Sequence, residues 1–365
     1  MKAKTVDFFL CATMANDFFS LCAPFDEPKP GVRRYLIKGS AGNGKSTAMK
    51  QAAEACEPFD SLIERIHCSS DPDSLDGVIF KDAKCSIVDA TPPHEVEPSF
   101  PGSFQTTVNF FDALNEEILA PKLPALKTLS EEISLCHQKA RRMMAGADAL
   151  LSDNRQFIAS ILKPQKIDAL ADRLALRELP PKKGGGTGEV HLRLLSAVTM
   201  NGVLTYTDTV KTMCSRVICI DDPFGAAADR LLRRLLFHVK QRGLEVYVCF
   251  DPTAPDKLVS HLLIPSLSLG FVTQSADVRF DPSMCTRMIR YTRFLDRSAL
   301  RKRRQTLTFQ KKAANVLIHA ASAHLRQAKA IHDTLEAEYH EGVDFAVVKQ
   351  KTEALCEAVK ARYSR

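Results

Sequence analysis

The residues from Tyr35 to Ala53 read YLIKGSAGNGKSTAMKQAA. Gly39, Gly44, Lys45 and Ser46 fall at the spacing G-x-x-x-x-G-K-[ST]. Leu36 and Ile37 end an apolar run that reads as a buried strand, and Ser46 to Ala55 reads as a helix. That order, strand then glycine-rich loop then helix, lets backbone N–H groups turn inward around an anion at a helix N-terminus. It predicts a phosphate-binding loop over Gly39, Ser40, Ala41, Gly42, Asn43, Gly44, Lys45, Ser46 and Thr47. Lys45 is expected on the β- and γ-phosphates and Ser46 on Mg²⁺.

Such a loop needs an acid for the magnesium shell. Asp89 ends the apolar stretch CSIVD and is the candidate, paired with Ser46 as metal ligand and with Lys45 as catalytic group. The alternative for Asp89 is a turn cap ahead of Pro92 and Pro93. A polar cluster from His67 to Gly77, HCSSDPDSLDG, follows another strand. It reads either as an acceptor or water-activating site or as a turn-rich loop. His94 and Glu95 are placed either near the γ-phosphate or on an exposed loop.

Outside this region the chain rhymes with itself. Phe80 to Phe100 matches Ile264 to Met284 at an offset of 184 residues, which carries on through Phe110/Phe294 and Asp112/Asp296. YLIKG matches VICID (Val217 to Asp221) at an offset of 182, and LCATMAND from Leu10 resembles LSAVTMNG from Leu195. A duplication follows, with strands alternating with helices in each half and hence a parallel sheet flanked by helices. The expected division is a domain over 1–179, a Pro/Lys/Gly linker over 180–189, and a second domain over 190–365. Amphipathic stripes (Leu126, Leu129, Ile133, Cys136, Ala140, Met143, Ala147 and Leu150; Leu317, Ala321, Leu325, Ala328, Ile331 and Leu335) end each half as helical hairpins. They are expected to dock on their own domain, or else to meet a protein partner.

The second half departs from the phosphate pattern. DDPFGAAAD, Asp221 to Asp229, has no Gly-Lys-Ser, with Ala226 to Ala228 near the register of Gly44 to Ser46. Thr273 stands for Asp89. Acids replace the phosphate contacts, so this half is read as degenerate.

Composition is globular, at 45% hydrophobic and 25% charged over 365 residues, enough to bury a core without disulfides. The 11 cysteines are scattered without a C-x-x-C, which predicts free thiols. Asp7 and Asp17 interrupt the apolar N-terminal run, so neither a leader nor a membrane span is expected, and a cytoplasmic location is. The net charge of +7 concentrates in Arg287 to Lys312, where Asp296 is the only acid. Arg287, Arg290, Arg293 and Arg297 recur at helical spacing. A solvated basic face is the leading reading, ahead of nucleic-acid binding and an arginine finger.

The P-loop, HCSSDPDSLDGVIF, VDATPPHEVEPSFPG, a hairpin and a second similar half together resemble an uncharacterised family of bacterial tandem P-loop ATPases found in Firmicutes. The resemblance covers essentially the whole chain and implies a P-loop NTPase fold in both halves and nucleotide binding. Members often keep a P-loop in the second half, which this chain lacks. With neither [NT]-K-x-D nor L-S-G-G-Q present, ATP is favoured over GTP and a transporter-type ATPase is disfavoured. The expected activity is Mg²⁺-dependent ATP hydrolysis. A kinase for a small molecule and a nucleotide-gated binding module are the alternatives.

Overall fold

The computed structural model describes residues 3–13, 18–21, 28–92, 96–181, 188–254, 256, 258–275 and 278–364. His94, Glu95 and most of the 180–189 linker lie outside them. The first half runs β1 (Lys4–Phe8), β2 (Cys11–Thr13), β3 (Phe18–Ser20), β4 (Arg33–Lys38), α1 (Lys45–Cys56), β5 (Leu62–His67), β6 (Leu75–Phe80), β7 (Cys85–Asp89) and β8 (Gln105–Asn109). It continues through α2 (Glu116–Leu119), the long α3 (Leu123–Ser160) and α4 (Pro164–Glu178). The second half repeats the plan with β9 (Val190–Arg193), β10 (Ser196–Thr199), β11 (Gly202–Thr205), α5 (Thr207–Met213), β12 (Arg216–Asp221) and α6 (Ala226–Gln241). Then come β13 (Val246–Phe250), β14 (Val259–Ile264), β15 (Leu269–Gln274), β16 (Cys285–Arg290), α7 (Arg297–His340) and α8 (Phe345–Lys360).

Two six-stranded sheets result, ordered β1-β5-β6-β7-β4-β8 and β9-β13-β14-β15-β12-β16. Order and direction agree strand for strand, which supports the duplication at the level of topology. The sheets are mixed rather than parallel. β6 runs antiparallel to both β5 and β7, and β14 antiparallel to both β13 and β15. The reason is connection length. A parallel return needs a crossover of a dozen or more residues, and only the turn Lys81 to Lys84 separates β6 from β7.

Strand pairing also corrects the alignment of the halves. Ile37 pairs with Asp89, and Ile220 pairs with Thr273. Ile37 therefore corresponds to Ile220, one residue from the register read off YLIKG and VICID. A one-residue slip would turn every side chain of the strand to the wrong face. Beyond β7 the 184-residue offset also lapses. Asn115, whose side chain caps α2, corresponds to Asp296, which caps α7 in the same manner.

The compact units do not follow the boundaries 1–179 and 190–365. One comprises 1–8, 22–139 and 323–365; the other comprises 9–21 and 140–322. The two halves have exchanged their last helices. In the first unit α1 buries Ala48, Met49, Ala52, Ala53 and Cys56, at three- and four-residue spacing. The helix lying on it is α8, through Val348, Leu355, Cys356 and Val359. In the second unit α6 buries Leu231, Leu232, Leu235 and Val239 against Ile167, Leu170, Leu174 and Ala175 of α4. Each hairpin thus completes the core of the other half's sheet, where docking on its own was expected. The α4–α6 seam carries ion pairs too: Arg230 with Asp168 at 2.6 Å, and Asp172 with both Arg234 (2.8 Å) and His238 (2.7 Å).

Cys219 and Cys285, on the neighbouring strands β12 and β16, form a disulfide with Cα atoms 5.9 Å apart, where free thiols were expected. The other eight described cysteines form no disulfide. Among the described residues no helix is long and apolar enough to cross a membrane.

Candidate functional site

In the first unit the loop from Gly39 to Gly44 joins β4 to α1 at the C-terminal edge of the sheet. Gly44 is the N-cap of α1 and sits at φ 85°, and Gly42 has φ 67°, left-handed conformations that glycine adopts without strain. No side chain caps α1, so its first N–H groups are left to other acceptors. Gly39 is fixed by space: a Cβ there would stand 2.2 Å from the Asn43 side-chain amide. The buried Asn43 amide braces the turn, its oxygen accepting from Ser40 N at 2.9 Å and its nitrogen donating to Ser40 O at 3.0 Å.

Lys45, the first residue of α1, donates through Nζ to Ser40 O at 2.6 Å and lies 3.8 Å from Asp89 Oδ2. Ser46 Oγ accepts from Leu75 N at 3.0 Å, which ties the start of α1 to the start of β6. Asp89, last in β7, accepts through Oδ1 from Thr91 N (3.0 Å) and Thr91 Oγ1 (2.5 Å). Burial pushes its carboxyl above the ordinary range while Lys45 pulls against that shift. Lys45 and Asp89, distant in sequence, therefore meet at the C-terminal end of the sheet, with Ser46 next to Lys45 in the chain. Oδ1 of Asp89 caps the turn, and Oδ2 faces the lysine.

The loop after β5 is less free than its composition suggests. His67 contacts Asp7 Oδ1 at 2.8 Å and Pro72 O at 2.7 Å, and Asp7 also holds Arg65 in a two-pronged ion pair. Asp71 accepts from Ser74 Oγ at 2.8 Å and lies 3.5 Å from Lys329 Nζ. Ser69 Oγ is buried without a hydrogen-bond partner.

Sequence reasoning missed a third contributor. A Cβ on Gly42 would lie 2.9 Å from both Glu336 Cβ and His340 Nε2, and one on Gly44 would lie 3.3 Å from Val348. The last turns of α7 and the first of α8 thus close over the loop. Lys329, Glu336 and His340 are spaced seven and four apart, one face of a helix. That face is legible as a pattern, but its target is not.

The corresponding place in the second unit is built differently. Gly225, at φ 77°, is the N-cap of α6 and matches Gly44. Ala226 therefore holds the position of Lys45, and Ala227 that of Ser46, one residue from the sequence register. The link from β12 to α6 is Asp222 to Gly225, two residues shorter than Gly39 to Gly44. Asp222, buried, turns back into the helix start. Oδ2 accepts from Ala227 N and Ala228 N, both at 2.9 Å, and Oδ1 from Phe224 N at 3.1 Å. A carboxyl thus caps the start of α6, where the corresponding start of α1 has no side-chain cap. Burial raises the Asp222 pKa above the ordinary range, opposed by those N–H donors.

Beside it lies a cavity of about 300 Å³ lined by Asp222, Asp251, His261, Thr273 and Lys311 among others. His261 accepts from Thr273 N through Nδ1 at 3.3 Å, and burial pushes its pKa down to about 3, so the ring is neutral. Thr273 Oγ1 is buried without a hydrogen-bond partner. Arg287 and Arg290 lie on strand β16 and Arg293 in the turn after it; only from Arg297 onward is the basic run helical, which corrects the expected helical spacing.

Compared with known protein families, curated proteins and solved structures, the chain shows no significant match to any of the three.

Proposed function

We propose that the first unit binds Mg-ATP at the loop Gly39 to Thr47 and hydrolyses it. The observation that carries this reading is the convergence of Lys45 and Asp89 at 3.8 Å beside an uncapped helix start whose N-cap is a left-handed glycine. An anion suits that arrangement: N–H donors, the positive end of α1 and Lys45 surround one place. Mg²⁺ would be held by Ser46, whose Oγ retains a lone pair beyond its bond from Leu75 N, together with Asp89; it would neutralise charge on the phosphates. Lys45 leaves Ser40 O to contact the phosphates, and Asn43 keeps the loop open by bracing Ser40. In this reading the second unit is a degenerate copy whose cradle holds the Asp222 carboxyl.

Phosphate release from Mg-ATP by the intact chain, with Lys45→Ala beside it, tests the proposal. Release that vanishes in the variant supports hydrolysis. Failure of the intact chain both to release phosphate and to bind a fluorescent ATP analogue refutes it. Binding without release selects the nucleotide-gated module. The closure of Glu336, His340 and Val348 over Gly42 and Gly44 favours that second reading, because a ligand entering the loop acts directly on the α7–α8 turn.

A further inference from the structure

The basic run after Arg287 is joined in the second unit by cations from a distant part of the chain. Helix α4 is two-faced. Asp168 and Asp172 point to α6 and are saturated by Arg230, Arg234 and His238. Lys166, Arg173 and Arg177 are spaced seven and four apart and so share another face, all three exposed. The start of α4 is tied to the turn after β16, where Lys163 N donates to Phe294 O at 2.7 Å. That turn carries Arg293, and the edge strand β16 carries Arg287 on the side of the sheet where Ile289 packs, with Arg290 on the opposite side. Burial, and after it the like charges of Arg177, Arg293 and Arg173 against the opposing Glu178, hold the Arg287 pKa below its usual value.

Little opposes this charge. Glu178 is shared between Arg177 (2.6 Å) and Arg216 (3.3 Å). Asp296 is spent on the α7 N-terminus, accepting from Ser298 N and Oγ and from Ala299 N. Among the described residues, no carboxylate is in ion-pair contact with Lys163, Lys166, Arg173, Arg287, Arg290 or Arg293. Mutual repulsion of this kind is costly to the folded chain unless a polyanion offsets it. The stripe from Lys163 to Arg177 extends about 21 Å along α4, at roughly 1.5 Å per residue. Arginine predominates, and its planar fork matches phosphate oxygens two at a time.

We propose that the face formed by α4, β16 and the turn 291–294 binds nucleic acid through its phosphate backbone. The partner is a linear polyanion, and the contacts position it without reading its sequence. This inference is independent of the nucleotide reading of the first unit.

The test is fluorescence anisotropy of labelled 25-nucleotide single-stranded and 25-base-pair duplex DNA with the full chain, between 50 and 200 mM KCl. If about four phosphates are neutralised, log K for the duplex falls against log salt with a slope near −3.6, a loss of roughly 150-fold over that range, and for the single strand with a slope near −2.8, roughly 50-fold. Arg173→Gln with Arg287→Gln should flatten the slope by about two and weaken binding at 50 mM salt at least tenfold. The exposed pair Lys166→Gln with Arg293→Gln should do the same, and it guards against a folding defect at the half-buried Arg287. Lys349→Gln on α8 should change nothing. No binding to either DNA at 50 mM KCl overturns the proposal. So does an unchanged slope in both double variants, or retention on phosphatidylserine vesicles without binding to DNA.

Discussion

Replacing Asp222 by alanine removes the carboxyl that fills the start of α6. Three backbone N–H groups, of Phe224, Ala227 and Ala228, lose their acceptor. A typical intramolecular hydrogen bond contributes about 1 kcal/mol net, and truncating a helix cap costs 0.5–2 kcal/mol. The cavity beside Asp222 lets water reach the freed donors and recover part of the loss. A destabilisation of about 2–3 kcal/mol is therefore expected. Urea unfolding followed by far-UV circular dichroism reads it as a midpoint lowered by about 1 M, for a slope near 2 kcal/mol/M. The same logic gives the variant a vacant anion cradle. Sulfate at 20 mM, binding with a dissociation constant of about 1 mM, should return about 1.8 kcal/mol. Sulfate also stabilises proteins by exclusion, so the quantity that matters is the excess over the intact chain. A midpoint within 0.2 M of the intact chain, or an equal response of both proteins to sulfate, would refute the assignment of the Asp222 carboxyl as the group that fills the start of α6.

Other consequences follow from the same geometry. Because burial raises the Asp222 pKa, the folded chain holds that proton more tightly than the unfolded chain; its contribution is largest below the ordinary aspartate range and declines as pH rises. The stability gap between the intact chain and Asp222→Ala should accordingly narrow above about pH 4, and a gap that widens in a urea series across pH 4–8 would contradict the burial argument. Ala226→Lys restores a lysine at the position of Lys45, yet should create no second ATP site while Asp222 remains; calorimetry showing two sites per chain would sink this reading. Gly42→Val forces a branched side chain to φ 67° and onto Glu336 and His340, for a loss of about 2–3 kcal/mol measurable by urea unfolding. The fragment 1–181 lacks α8, which covers α1, so it should show no cooperative melt; a sharp transition in that fragment would mean the exchanged helix is dispensable.

Local chemistry carried much of the sequence reading. Gly-x-x-x-x-Gly-Lys-Ser between an apolar strand and a helix marks a tight loop at a helix start, so the strand–loop–helix order was visible without coordinates, while the left-handed Gly44 was seen only in the structure. Asp89 was legible as the last residue of a buried strand, and the duplication as a shared order of strands. Strand direction was not, because β6 and β14 have the same apolar character in a mixed sheet as in a parallel one. Register was misread by one residue between Tyr35 and Val217, since apolar runs look alike when shifted and only the hydrogen-bonded ladder separates the faces. The partner of each hairpin was hidden for a similar reason. An amphipathic stripe states that a face will be buried, but the two halves offer nearly equivalent grooves. Three-dimensional packing assigned α8 to α1 and α4 to α6, placed Glu336 and His340 on Gly42, and set the Asp222 carboxyl at the start of α6. Those are long-range choices, made by shape and by hydrogen bonds between residues that the chain keeps far apart.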